Sequence, residues 1–123
     1  MANSIQAMMG TGTPAVQAIA IGGVVTDALT ALGSTQGTAL TLPSNVNRFT
    51  TVAASTGAIV PATAQPGDEY IVANSGANAL LVYPPTGGAI AGGATNAGFS
   101  VAANKSAYFV VISATFIAAI LSA

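Results

Sequence analysis

The stretch Gln65-Pro66-Gly67-Asp68-Glu69-Tyr70-Ile71-Val72-Ala73-Asn74-Ser75-Gly76-Ala77-Asn78-Ala79-Leu80-Leu81-Val82-Tyr83 holds two short apolar runs separated by a polar, glycine-bearing break. Val, Ile and Tyr suit a pleated, half-buried surface, so both runs read as strands, Glu69 to Ala73 and Ala79 to Tyr83. Pro66 fixes the φ of one central turn position and Gly67 tolerates the positive φ of the next. Gln65 to Asp68 is therefore a type II turn leading into the first strand. Ser75 to Asn78 then predicts an antiparallel hairpin. Pro84-Pro85-Thr86-Gly87-Gly88 ends it, because proline cannot donate to a strand ladder.

The same texture continues on both sides. Strands are predicted at Asp27 to Ala31, Thr38 to Leu42, Asn47 to Ala53, Ala58 to Val60, Gly98 to Ala102, Ala107 to Ser113 and Phe116 to Leu121. Alternation in Thr38-Ala39-Leu40-Thr41-Leu42 sends both leucines to one face and Thr41 to the other. Asp27 to Leu32 is alternatively one helical turn, but no helix is required anywhere. Before Thr26, Gly10, Gly12, Pro14, Gly22 and Gly23 argue against a long helix and for an extended arm with one short strand, Val16 to Ile21. The expectation is an all-β chain: residues 26–123 as a small antiparallel β-sandwich or barrel of jelly-roll type, and residues 1–25 as an extended N-terminal arm.

Composition excludes more chemistry than it proposes. Of 123 residues, 52% are apolar and five are charged, namely Asp27, Arg48, Asp68, Glu69 and Lys105. An ordinary domain has about a quarter of its residues charged, so this surface is one of Ser, Thr, Asn, Gln, Gly and Ala with little electrostatic protection against association. There is no Cys and no His, which removes disulfides, thiolate metal sites, cysteine nucleophiles, the commonest general base and any serine triad. Two cations do not make a nucleic-acid groove. The apolar stretches Ala15 to Val25 and Tyr108 to Leu121 are shorter than the ~20 residues of a spanning helix. The start, Met1 to Gly10, lacks the basic region of a secretory signal, so synthesis in a cytoplasm without a signal peptide is expected.

Few residues qualify as site candidates. Asp68 and Glu69 are adjacent carboxylates that would suggest a metal or acid-base pair, but neighbours on a strand point to opposite faces. Asp68 instead suits closure of the turn, with Glu69 pairing with Arg48 or Lys105. Arg48 lies within an apolar strand and needs solvent or a carboxylate, so Arg48, Asp68 and Glu69 are the expected structural ion-pair residues. Tyr70, Tyr83 and Tyr108 suit core or interface better than a sugar-stacking surface. No catalytic, cofactor or metal residue is assigned. The arm supplies the candidate interface: Ile5, Met8, Met9, Val16, Ile19, Ile21, Val24 and Val25.

One ordered set of segments adds a resemblance. Ala31-Leu32-Gly33-Ser34-Thr35-Gln36, Leu42-Pro43-Ser44-Asn45-Val46-Asn47-Arg48, Thr51-Val52-Ala53, Pro66-Gly67-Asp68-Glu69, Val72 to Leu80, Val82-Tyr83-Pro84-Pro85-Thr86-Gly87-Gly88 and Val101 to Ser106 together cover most of Asp27 to Leu121. In this order they resemble a small β-rich module of tailed-bacteriophage virion proteins. The resemblance implies a non-enzymatic structural role as a capsid decoration (cement) protein or a head or tail fibre component, commonly homotrimeric, with the major capsid protein as partner. It implies a place on the capsid exterior; the scarcity of cations and the short apolar stretches already argue against a nucleic-acid or membrane partner. The short chain, without a long fibrous repeat, favours decoration over fibre.

Overall fold

The computed structural model describes residues 24–123. Ten strands follow in order: β1 Val25–Thr30, β2 Leu40–Thr41, β3 Val46–Thr51, β4 Gly57–Ile59, β5 Glu69–Asn74, β6 Leu80–Tyr83, β7 Ala89–Ile90, β8 Phe99–Val101, β9 Ser106–Ser113 and β10 Phe116–Leu121. A single 3-10 turn, Gln36–Thr38, is the one helical element among the described residues. The all-β expectation therefore holds, and Asp27 to Leu32 is strand rather than helix at its start. The arm candidates Ile5, Met8, Met9, Val16, Ile19 and Ile21, with the strand expected at Val16 to Ile21, lie outside the described residues.

The strands form a six-stranded sheet in the order β1-β3-β5-β9-β10-β7 and a four-stranded sheet in the order β2-β4-β6-β8. Up to β6 the chain alternates between the sheets, and each strand lies parallel to the one a full circuit earlier. Val25, Val46 and Ile71 occupy equivalent positions on successive circuits, 21 and 25 residues apart. This is the topology of a short solenoid of three coils. β8 and β9 then join antiparallel to β6 and β5, β10 pairs antiparallel with β9, and the short β7 lies parallel to β10.

The antiparallel, jelly-roll expectation is thus corrected for the first six strands, and so is the hairpin at Ser75 to Asn78. β5 and β6 belong to different sheets, and the segment between them is a corner. Asn74, 1% exposed, fastens that corner. Its amide nitrogen donates to the carbonyls of Asn78 and Val101, both at 2.8 Å, and its oxygen accepts from the Gly76 N–H at 2.9 Å. Gly76 is needed because a Cβ there would sit 2.6 Å from Val52 Cγ2. Alternation is the same in parallel and antiparallel strands, so periodicity alone does not separate a hairpin from a corner.

Asparagine side chains also bind coil to coil. Asn47, fully buried, donates to Ser44 O at 2.8 Å and to Ile71 O at 3.4 Å. Asn45 donates to Glu69 O at 3.0 Å, and Asn78 donates to Val52 O at 2.8 Å. Corners of a coil leave backbone carbonyls outside the ladders, and these amides satisfy them.

One apolar cluster fills the space between the sheets. Phe49, Tyr70, Val72, Phe109, Val111 and Ile117 from the larger sheet meet Ala58, Leu80, Val82 and Val101 from the smaller. Phe99 and Phe109 meet edge to face across it with ring centroids 5.5 Å apart. The type II turn is as expected: Gly67 has φ +93°, and Asp68 N–H donates to Gln65 O at 3.0 Å.

Candidate assembly surface

The outer face of the six-stranded sheet follows from what its strands bury. Asn47 and Phe49 in β3, Tyr70, Val72 and Asn74 in β5, Ala107, Phe109 and Val111 in β9 and Ile117 in β10 point inward. The residues between them point outward, because successive strand residues face opposite sides. Strand register then aligns Val25 with Val46, Val46 with Ile71, Ile71 with Tyr108 and Tyr108 with Ile120. The result is one apolar row running across five strands. Val25 and Ile120 at its ends are 66% and 68% exposed. Val110 and Ala118 extend it on one side; Arg48, Ala73 and Ser106 form a more polar row on the other.

Every charged side chain near or on this surface is already engaged. Arg48 Nη1 donates to both carboxylate oxygens of Asp27, at 3.1 and 3.3 Å, and its Nε donates to Ser75 Oγ at 3.1 Å. Asp27 also accepts from the Ala28 N–H at 2.7 Å, and this bond first, then Arg48, holds its carboxyl below the ordinary 3.8. Asp68 accepts from the Gln65 N–H at 2.8 Å. Glu69 accepts from the Tyr108 hydroxyl, which raises the tyrosine above its ordinary 10.0. Lys105 donates to the Ala123 carbonyl.

The ion pair expected for Arg48 is therefore present with a different acid. Arg48 pairs with Asp27 on the neighbouring parallel strand, which an antiparallel scheme would not place beside it. Asp68 closes its turn as expected, while Glu69 is tied to Tyr108 rather than to a cation. Val24 and Val25 are exposed, and Val25 is the first residue of β1. Tyr70 and Tyr83 are both 8% exposed, so neither offers a free ring for a sugar. Among the described residues no cluster of three or more His, Cys, Asp or Glu could hold a metal. No helix among them is long and apolar enough to cross a membrane.

Sequence reasoning missed Val46, Ile71 and Ile120 as surface residues. The signal was present. Tyr70-Ile71-Val72 and Tyr108-Phe109-Val110-Val111-Ile112 are unbroken apolar runs, and a strand with one wet face alternates instead. Comparison with protein-family models, with curated proteins and with solved structures finds no match to this chain.

Proposed function

We propose that this protein is a non-enzymatic structural component of a tailed-bacteriophage particle, a decoration protein that binds the outer capsid shell and strengthens contacts between capsomers. The observation that carries this reading is the engagement of all five charged side chains within the chain itself. Arg48 and Asp27 compensate one another, and a surface with so few charges leaves a covering partner little to desolvate, the cost that makes buried ions poor interface material. The exposed apolar row supplies the complementary gain, since removing apolar surface from water is the main driving force of association. The ordered segments that resemble virion modules point to the same role. The major capsid protein is the partner in this reading, and a homotrimer is the assembled form.

The test uses the purified chain and expanded capsids lacking it. The expected result is saturable co-sedimentation with capsids, raised capsid resistance to heat, and a trimer mass in solution. A stable monomer that leaves capsids unbound and unprotected would end the proposal.

A further inference from the structure

We propose that β10 pairs antiparallel with β10 of a second copy of this chain, joining two six-stranded sheets edge to edge about a two-fold axis. β7 lies beside β10 only at Phe116 and Ile117, and its last bond is the Ala91 N–H donating to Ile117 O at 2.8 Å. On the other side, the register with β9 and the bond from the Ser122 N–H to Ser106 O assign the backbone groups of Ala118, Ile120 and Ser122 to the β9 ladder. The N–H and C=O of Ala119 and Leu121 therefore point away from β9, and among the described residues nothing pairs with them. Such a row of backbone groups is a template for an added strand.

Sheet edges are kept from pairing by charge, proline, bulges or a covering element. β1, the opposite edge of this sheet, is irregular in register, holds Ala28 at φ +59° and carries Asp27. β10 beyond β7 has none of these devices. Phe116–Leu121 contains no charge, no proline and no glycine, and it keeps regular register with β9 from Ile117 to Leu121. Its last two side chains, Ile120 and Leu121, are 68% and 43% exposed.

A second copy fits this edge by charge and by register. A two-fold contact sets a strand against itself, so any charge on it would face its own like; here none does. β7 then selects the register. An axis at Ala119 or Ile120 would drive Ser122 of one copy into Ala91 of the other, because Ala91 follows the β7 residue paired with Ile117. An axis at Leu121 avoids this. It sets Leu121 opposite its own counterpart, lets the free groups of the two bond to each other, and places the two Ile120 side chains on one face as diagonal neighbours. The contact is self-complementary and closes at two copies. So short a strand pair buries less than the ~1,200 Å² of a standard interface, so association at about 10–100 µM is expected.

The inference stands without the virion reading. A homotrimer that also pairs through β10 would be a hexamer of dihedral symmetry, so β10 doubles the mass in either case. At about 200 µM the parent chain is therefore expected to sediment at twice the mass of Ala119→Pro. Proline there removes only an outward N–H and leaves the β9 ladder whole. Leu121→Lys keeps every backbone group, opposes like charges across the axis and should halve the mass as well. Val25→Lys, at the opposite edge, should leave it unchanged. The chain has no cysteine, so one introduced thiol reports one place. Opposed residues of a hydrogen-bonded pair lie about 5.5 Å apart at Cα, within disulfide reach, so Leu121→Cys should cross-link between chains at least about tenfold faster than Thr86→Cys in the exposed loop before β7. Equal masses for the parent, Ala119→Pro and Leu121→Lys, or equal cross-linking of the two thiols, would overturn the proposal. A mass halved by Val25→Lys alone would also overturn it, by naming the apolar row as the contact. So would a Leu121→Cys thiol shielded from maleimide in a chain whose mass ignores dilution, by naming another segment of the same chain as the cover. None of these readouts involves capsids, so this inference and the virion reading fail separately.

Discussion

The coiled part, β1 to β6, and the closing part, β7 to β10, share one core but are held by different means. Each pairing among the first six strands is parallel, and both buried polar side chains, Asn47 and Asn74, lie there. β9 and β10 are neighbours in sequence, pair antiparallel and are joined by a tight turn. A parallel partner is a whole circuit away, so its register is fixed at corners where backbone groups lack ladder partners. A hairpin carries its register in the turn itself. Buried side-chain amides therefore occur only in the coiled part among the described residues, while in the closing part the amide of Asn96, which accepts from the Gly87 N–H at 2.6 Å, is exposed.

That contrast can be broken from either side. The largest effect is expected for Phe109→Ala in β9, which removes a fully buried ring and its contact with Phe99; about 4 kcal/mol should be lost in denaturant melts. Asn74→Ala should follow at about 3 kcal/mol, because it strands the Asn78 and Val101 carbonyls and the Gly76 N–H without partners. A loss well under 1 kcal/mol would mean that the corner holds without its amide. Gly33→Ala should be destabilising by about 2 kcal/mol or more in the same melts, since φ is +68° and a Cβ would sit 2.4 Å from the Thr38 carbonyl oxygen.

Smaller effects sharpen the picture at the first strand. Ala28 holds φ +59° at an irregularity in the β1 register, a conformation glycine adopts without steric penalty. Ala28→Gly should raise stability by about 0.5 kcal/mol, seen as a small rise in Tm. The smallest effect belongs to Asp27. Its carboxyl is held below 3.8 in the folded chain, so its contribution is present above pH 3.8 and is lost as pH falls through the lower folded value. Tm curves of the parent and of Asp27→Asn should differ slightly at neutral pH and converge in acid. Both partners in the pair are exposed, which keeps the difference small.

How legible this was depended on the distance between partners in sequence. The last two strands were readable almost to the residue, Ala107 to Ser113 and Phe116 to Leu121, because their apolar runs and the break between them are contiguous. The Pro66-Gly67 turn was readable for the same reason. The coils were not, since nothing in β3 announces that its neighbours are β1 and β5. The corner amides were in plain view as Asn47, Asn74 and Asn78, but Asn favours a solvated turn as readily as a buried one. β7, two residues long, gave no period to detect. The apolar row was hidden in part because it exists only after register brings Val25, Val46, Ile71, Tyr108 and Ile120 into line.

A stack of parallel coils also has an end problem. Each coil is a template for the next, and among the described residues the first one ends the stack, at the kind of edge from which sheets grow into fibres. β1 is that edge in the larger sheet, and it is poorly shaped for growth. Ala28 kinks it at a left-handed residue, and the adjacent Asp27 carries one of the chain's few charges. Because Arg48 already compensates Asp27, the irregular backbone at Ala28, rather than charge repulsion, is what disfavours polymerisation from this edge.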